Sequence, residues 1–344
     1  MPGIMASLRG KRQFPRVACL GDVFVDLQAD GVSGLPEWGT DHSASAVRLL
    51  PGGSCANTAR NLASICQGGI SVSLFSTLGD DELGRFFLRR VTQEGLLDGV
   101  NPSLQLLPGV PQSCCIILSG MKPSVGAEPA SADRAMVSCY SSTARLSVRE
   151  CAPELCDDEW DVLHLGGYFN CPGIHTLDLL RLCERVRASG GIVSLDTQFD
   201  ASGQWAGLDG HLSRLLPLVD VFLPSENEAM GIARTPDGPA AALDELARRY
   251  PTALVVVKLG ADGCIAARGA ERWTQPAFAV QVFDATGAGD AFAAGFLSRY
   301  ARDRTDVAAA LKAGSAAGAA TVRRSGACVV PLVDADVRAF LDRA

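Results

Sequence analysis

The chain has 344 residues, and 31 lysines and arginines against 38 aspartates and glutamates leave a formal net charge of −7. That length holds one large α/β domain or two small ones, and an apolar content of 47% supplies a sizeable core. The acidic balance excludes nucleic acid as the main partner, which would need a basic face. No apolar run approaches the ~20 residues that span a bilayer, so a soluble protein with no membrane partner is expected.

In chain order, residues 1–16 carry Arg9, Lys11, Arg12 and Arg16 with no acid and no apolar centre. They read as an unstructured tail, a short organellar import sequence being the alternative; a secretory signal would need an apolar stretch. Val17–Asp26 and Val72–Leu78 are predicted strands, and Asn57–Cys66 and Glu82–Glu94 predicted helices. Two segments break the alternation, 27–50 and 113–140, where strand-like runs have no helix between them; 123–133, rich in small residues and proline, reads as an exposed turn. From Asp161 onward, apolar runs recur about every thirty residues, the length of a βαβ unit: Val162–Leu165, Ile192–Leu195, Val221–Leu223 and Leu254–Val257. Helical patterns fill the gaps at Ile174–Ala188 and Pro239–Tyr250. Continuous Val/Ile/Leu strands alternating with helices imply an α/β fold with a parallel sheet covered on both faces. The helix after Asp306 is built from alanine and glycine, which suits close packing on a neighbour or room for a flat ligand.

Twelve cysteines are scattered singly or, at Cys114 and Cys115, adjacent, with no Cys-x-x-Cys and no Cys/His set at zinc spacing. This pattern suits a reducing, cytoplasmic compartment without a structural metal.

The chemistry concentrates in Asp284-Ala-Thr-Gly-Ala-Gly-Asp290-Ala-Phe-Ala-Ala-Gly-Phe296. Thr286-Gly287-Ala288-Gly289 precedes a strongly helical run, so its backbone N–H groups and the positive end of the helix dipole make a cradle for an anion. Asp290 places a carboxylate where an incoming hydroxyl can lose its proton, and cradle plus base is the minimal equipment for phosphoryl transfer to an alcohol. Taken alone, a glycine pair before a helix and an aspartate in its first turn also serve an ordinary helix start. Other phosphate signatures are missing: Gly34 to Thr40 lacks the lysine of a P-loop, and no dinucleotide glycine pattern sits at a strand-to-helix joint.

The whole string resembles the C-terminal signature of the ribokinase-like (PfkB) carbohydrate kinases, and the likeness extends over nearly the whole chain, roughly residues 17–338. The resemblance implies a three-layer α/β/α domain with a mainly parallel central sheet, in which the segments at about 27–50 and 113–140 form a small β-sheet lid over the sugar. It implies ATP and Mg²⁺, an Asp290 base, and charge stabilisation by the N–H groups of Gly287, Ala288 and Gly289. Gly52-Gly53-Ser-Cys-Ala-Asn57, which could equally be a helix start capped by Ser54, resembles the family's Gly-Gly-x-x-x-Asn sugar motif. By the same likeness Asp26, otherwise ordinary strand-end chemistry, accepts sugar hydroxyls. Ser225 stands where relatives show asparagine, and Glu228 holds Mg²⁺ through water. Asp196-Thr-Gln198 stands where relatives show Asp-x-Asn and orients phosphates or magnesium waters. Lys258, Gly260 and Gly263 resemble the strand-turn that precedes the nucleotide loop, a β-hairpin turn being the plain alternative. Gly326 lies near the nucleotide, and Asp284 with the Thr286 carbonyl borders a K⁺ site present in some relatives.

The expected activity is therefore an ATP-dependent sugar kinase of ribokinase, fructokinase or 2-keto-3-deoxygluconate kinase type. A nucleoside kinase of the same fold, with Trp38 or Phe24 stacking on a base, is the alternative, followed by a non-catalytic kinase-like regulator. Lid-to-lid homodimers are frequent among such kinases.

Overall fold

The computed structural model describes residues 13–120, 134–151, 153–324 and 329–342; Gly326 and the turn expected over 123–133 lie outside them, as does most of the expected tail. One strand is predicted over Val17–Asp26, but two form: β1 (Arg16–Gly21) and β2 (Phe24–Val32). Between them the chain leaves one sheet for another. Gly21 packs so tightly on the end of a neighbouring strand that a Cβ there would lie 1.8 Å from the Gly166 carbonyl oxygen. Asp22 turns inward to accept the Cys55 N–H at 2.8 Å and the Asn170 amide at 2.7 Å. Asp26 therefore belongs to the second sheet rather than to the end of the first strand.

The chain continues through β3 (Ala46–Gly52), α1 (Ser54–Cys66), β4 (Ser71–Gly79), α2 (Glu82–Glu94), β5 (Val100–Leu107), β6 (Cys114–Gly120) and β7 (Arg134–Cys139). There follow α3 (Pro153–Asp157), β8 (Val162–Gly166), α4 (Leu177–Ala188), β9 (Ile192–Asp196), α5 (His211–Leu215), β10 (Val221–Phe222), α6 (Glu226–Ala233) and α7 (Pro239–Arg249). Last come β11 (Leu254–Lys258), β12 (Cys264–Arg268), β13 (Glu271–Gln275), α8 (Ala288–Tyr300), α9 (Val307–Thr321) and α10 (Asp334–Leu341).

Among the described residues the large sheet has nine strands in the order β13-β12-β11-β10-β9-β8-β1-β4-β5. It is parallel from β5 to β11, and the β11–β12–β13 pairs are antiparallel. Three of these strands had no clear signal in the sequence. β5 contains Pro102, which an edge strand tolerates, and β12 and β13 are short, with only Cys264, Ala266 and Ala267 buried between them. Helix α4 begins three residues later than expected, because a 3₁₀ turn at Pro172–Ile174 comes first.

Alternate strand residues feed two cores. Val17, Cys19, Val72, Leu74, Val162, Leu254 and Val256 pack with Leu62 of α1, Phe296 of α8 and Leu311 of α9. Ala18, Leu20, Leu163, Leu165, Val193, Val255 and Val257 face the other way, against Leu182 of α4 and Leu246 of α7. Side chains on both faces are buried, which is why these strands read as unbroken apolar runs. The alanine-rich α9 packs closely on α8: a Cβ at Gly295 would lie 2.5 Å from the Ala313 carbonyl oxygen. Close helix packing, the plainer of its two readings, is what the structure shows.

The small sheet has the order β3-β2-β6-β7, antiparallel except for the parallel β2–β6 pair. It starts at Phe24 and ends its first half at Gly52, wider than the 27–50 segment expected, and so carries Asp26 and Gly52 themselves. The strand ends at Gly21, Gly166, Asp196 and Lys258 lie along one edge of the large sheet. β1 is flanked there by β8 on one side and β4 on the other, the kind of switch point where open α/β sheets place ligands.

Candidate active site

Helix α8 starts at Ala288 with Gly287 as its N-cap, at φ 73°, a left-handed conformation that glycine adopts without strain. The turn is partly exposed. Of its N–H groups, Ala288 closes the turn on the Ala285 carbonyl at 3.3 Å. Those of Gly287 and Gly289 bond to no described residue, as the first N–H groups of a helix do unless something caps them. Of the three expected cradle donors, Ala288 thus closes the turn, while Gly287 and Gly289 are open.

Asp290 is 7% exposed, and its partners are polar. Ser54 Oγ donates to Oδ1 at 2.8 Å and Asn57 Nδ2 to Oδ2 at 2.9 Å, while Thr58 Oγ1 donates to the Asp290 carbonyl at 3.2 Å. Ser54 and Asn57 sit three apart on α1, one turn of one face, so both reach the same carboxylate. Gly53 is the N-cap of α1, and Ser54 does not cap it, contrary to one reading of the motif; its hydroxyl goes to Asp290 instead. Asn57 Oδ1 is buried and accepts no hydrogen bond. Burial pushes the Asp290 carboxyl up to about 6, against the pull of the Asn57 and Ser54 donors.

Asp26 lies directly over Gly52: a Cβ on that glycine would stand 2.2 Å from Asp26 Oδ2. Burial, and then the nearby Asp22 and Asp290, push the Asp26 carboxyl up to about 7. Asp22, buried at the β1 end, is pushed to about 7 as well, mainly by burial and despite its two donors. Asp26, Gly52, Gly53 and Asn57 thus converge on Asp290. Trp38 does not join them and is fully exposed, while Phe24 packs edge-to-face on Tyr140 with ring centres 5.9 Å apart.

The other flank of Asp290 carries charge of both signs. Lys258 Nζ donates to Asp196 Oδ2 at 2.7 Å, a pair almost wholly shielded from solvent. Burial works against the Lys258 charge, but Asp196, Glu228 and Asp290 outweigh it and hold its pKa above the ordinary lysine value. A Cβ built on Gly289 would lie 3.3 Å from this ammonium, which therefore rests against the anion turn. Gln198, at φ 59°, donates to Ser54 Oγ at 2.9 Å and to Asp196 Oδ1 at 3.2 Å, tying Asp196 to the Asp290 network. Glu228 is buried at the third position of α6 and accepts the Ser225 N–H at 3.1 Å and the Thr197 hydroxyl at 3.3 Å. Its carboxyl is pushed up, first by burial, with Lys258 opposing and Asp196 adding to the rise. Ser225 is the N-cap of α6 and forms a capping box with Glu228. Two close carboxylates beside an anion cradle offer the hard oxygen donors that suit Mg²⁺.

Lys258, Gly260 and Gly263 form a hairpin turn, since β11 and β12 pair antiparallel at Lys258↔Cys264. The side chain of Lys258 reaches the anion turn, whereas Gly260 and Gly263 shape the hairpin. Asp284 accepts the Thr286 N–H at 2.9 Å across a two-residue turn leading into the cradle.

A profile describing pfkB family carbohydrate kinases matches residues 15–334. The chain belongs to that family. It is therefore a phosphotransferase with an alcohol group as acceptor. Among similar proteins, an ATP-dependent 6-phosphofructokinase of Thermoanaerobacterium thermosaccharolyticum is 26% identical over 93% of this chain and 91% of its own. A fructokinase of Klebsiella pneumoniae is 28% identical over 83% of this chain and 84% of its own. An E. coli protein described as a ribokinase II, solved with ATP and Mg²⁺, shares the fold with a TM-score of 0.74 at 20% identity, over 96% of this chain and 100% of that one.

In this kinase, Ser54, Asp22 and Lys258 do more around Asp290 than sequence reasoning assigned them. Ser54 was detectable from its three-residue spacing to Asn57. Asp22 had no such signal, because its partners Cys55 and Asn170 come from distant parts of the chain.

Proposed function

We propose that the protein is an ATP-dependent sugar kinase in which Asp290 is the general base. The observation that carries this reading is Asp290 itself: a carboxyl raised to about 6, oriented by Ser54 and Asn57, in the first turn of a helix whose N-cap glycine leaves N–H groups open. A base with that affinity is ionised at neutral pH yet still basic enough to draw a proton from a hydroxyl.

Asp26 and the unpartnered Asn57 Oδ1 accept hydrogen bonds from sugar hydroxyls and turn one hydroxyl toward Asp290. Asp290 takes its proton as the hydroxyl oxygen attacks the γ-phosphorus of ATP, and the bond from that phosphorus to the bridging oxygen breaks to release ADP. The N–H groups of Gly287 and Gly289, with the Lys258 ammonium beside them, meet the negative charge that builds on the transferred group. Glu228 and Asp196 would hold Mg²⁺ through water, and the ion would supply charge neutralisation at the phosphates. Closure of the small sheet over the acceptor keeps water from competing for the phosphoryl group.

A cavity of about 510 Å³ lined by Val280, Val282, Phe283, Arg323 and Phe340 lies just upstream of the Asp284 turn and is the place proposed for the nucleotide base. Asp284 is retained as the side chain of a K⁺ site, which replacement of K⁺ by choline in the assay would reveal. The small sheet turns Leu27, Leu49, Ile116 and Val137 to its outer face, in register across the strands. Leu49, Ile116 and Val137 are exposed there, which supports a homodimer through this face. Light scattering should show a dimer for the wild type and a monomer for Val137→Glu; an unchanged mass for the variant would exclude this face. A cytoplasmic location is part of the proposal, and among the described residues no helix is long and apolar enough to cross a membrane.

The test is coupled ATP turnover with ribose, fructose, 2-keto-3-deoxygluconate and adenosine, in the wild type and in Asp290→Asn. At least one acceptor should support turnover, and the variant should lose about 10²–10⁴-fold in kcat with little change in ATP affinity. Normal turnover by Asp290→Asn would refute the assignment, and adenosine as the best acceptor would favour the nucleoside-kinase alternative.

A further inference from the structure

Cys114 of β6 and Cys139 of β7 stand directly opposite each other in the antiparallel register of the small sheet. Residues so paired share a face, with Cα atoms about 4.5 or 5.5 Å apart depending on the rung. A disulfide spans about 4.4–6.8 Å between Cα atoms, so either kind of rung admits one. Both cysteines are free thiols, and they interact: Cys139 adds to the rise in the Cys114 pKa that burial begins. They lie on the outer face with Ile116 and Val137. Cys115 alternates to the inner face, where its sulfur accepts the Ser138 hydroxyl at 3.4 Å, and so does not compete for Cys139.

Access sets this pair apart. Among the described cysteines Cys139 is the exposed one, and Cys114 is half-buried. Cys55 lies close to Cys19 as well, but both are wholly buried, and burial pushes the Cys55 thiol well up. A dissolved oxidant therefore meets Cys139 first, where solvent supports the reactive thiolate.

The rung also sits between two fixed features. Just before it, the Ser113 N–H donates to Ser142 Oγ at 3.0 Å and the Thr143 N–H donates to Ser113 Oγ at 3.0 Å. Thr77 of β4 donates to the Ser142 carbonyl at 2.9 Å. All four residues are buried, and this clasp ties the roots of β6 and β7 to the large sheet. Just after it, Cys115 pairs with Asp26 across the β2–β6 ladder. Cross-strand Cβ atoms stand about 4.5–5.5 Å apart and must close to about 3.5–4.5 Å in a disulfide. With the roots held, that movement passes to the rung that carries Asp26.

We propose that Cys114 and Cys139 form a reversible dithiol site that glutathione disulfide closes, and that closure impairs use of the acceptor. The second half rests on the kinase reading above; the first does not. The Cys139 thiolate attacks one sulfur of glutathione disulfide, whose S–S bond breaks and releases one glutathione thiolate. The Cys114 thiolate then attacks Cys139 Sγ and displaces the second glutathione. The two protons lost by the protein thiols end on the two glutathione molecules. The protein is thereby oxidised and glutathione disulfide reduced, and dithiothreitol reverses the sequence.

The test incubates the folded, full-length protein with glutathione disulfide and maps its peptides by mass spectrometry without reduction. A Cys114–Cys139 link should appear with a mass loss of about 2 Da that dithiothreitol restores. Cys139→Ser should show neither. For the acceptor that the panel above identifies, kcat/KM should fall roughly tenfold on oxidation, with little change in the KM for ATP. It should recover with dithiothreitol and stay constant in Cys139→Ser. A lasting mixed disulfide on Cys139, a Cys114–Cys115 link, a covalent dimer or a pair that stays reduced would overturn the site. A formed link with unaltered acceptor kinetics would overturn the control assigned to it. The link forming in a protein that phosphorylates no acceptor would uphold the site and refute the kinase reading, so the two failures are distinguishable.

Discussion

The two flanks of Asp290 are charged in different ways. On the side of the anion turn, Asp196 and Glu228 have Lys258 among them and helix N–H groups beside them, so their negative charge is balanced from within the protein. On the side of the small sheet, burial drives the Asp22 and Asp26 carboxyls to about 7, and the Arg48 guanidinium of that sheet pairs with Asp30. A site that must grip polyphosphate needs the first arrangement. The second, whose carboxyls stand near half-protonation at neutral pH, can both donate to and accept from hydroxyl groups. Asp290 stands at the border and takes its raised affinity from burial.

Replacing Asp290 tests that border most severely, since the variant should lose turnover and yet gain stability. The carboxyl sits at about 6 in the fold against an ordinary 3.8, so the native state holds this proton more tightly than the unfolded chain does. Its contribution is therefore most favourable below pH 4 and is lost as pH rises to about 6. Above that the ionised group costs on the order of 3 kcal/mol. Asp290→Asn should raise the melting temperature at pH 7.5 and leave it nearly unchanged at pH 4; a lower melting temperature at pH 7.5 would show that the carboxylate is held without strain.

Lys258→Met separates the two flanks. It leaves Asp196 buried without its partner, at a cost of about 3–5 kcal/mol in stability. It should also lower kcat/KM for ATP by roughly 10²-fold, as loss of a preorganised charge does. The acceptor KM should move little; if it rises as much as kcat/KM for ATP falls, Lys258 serves both flanks and the division is wrong.

The smallest effect is expected for Ser54→Ala. The Ser54 donor lowers the Asp290 affinity for protons, so its loss should move the acid limb of the kcat–pH profile upward and reduce kcat a few-fold near neutrality. Activity that falls equally at every pH would mean that Ser54 only shapes the fold.

Much of this architecture was legible in the chain. The runs at Val162, Ile192, Val221 and Leu254 announced a parallel sheet because residues buried on both faces leave no polar alternation. The Thr286–Asp290 string announced a glycine turn at a helix start with a carboxylate in the first turn, because a helix start needs only local residues. Other features were illegible for the opposite reason. The break between β1 and β2 depends on Gly21 meeting Gly166, 145 positions away in the chain. The true work of Ser54 depends on Asp290, separated from it by 236 residues.

By itself, then, the order of amino acids determined the layered fold, the family signature and the glycine turn that opens α8 beside Asp290, since each is written in neighbouring residues whose periodicity or spacing carries the physics. Only the tertiary structure decided which donors hold Asp290, that Ala288 closes its turn on Ala285, and that Lys258 pairs with Asp196 beside Glu228. Burial and electrostatic coupling are properties of groups brought together from remote segments, and neither exists until the chain has folded.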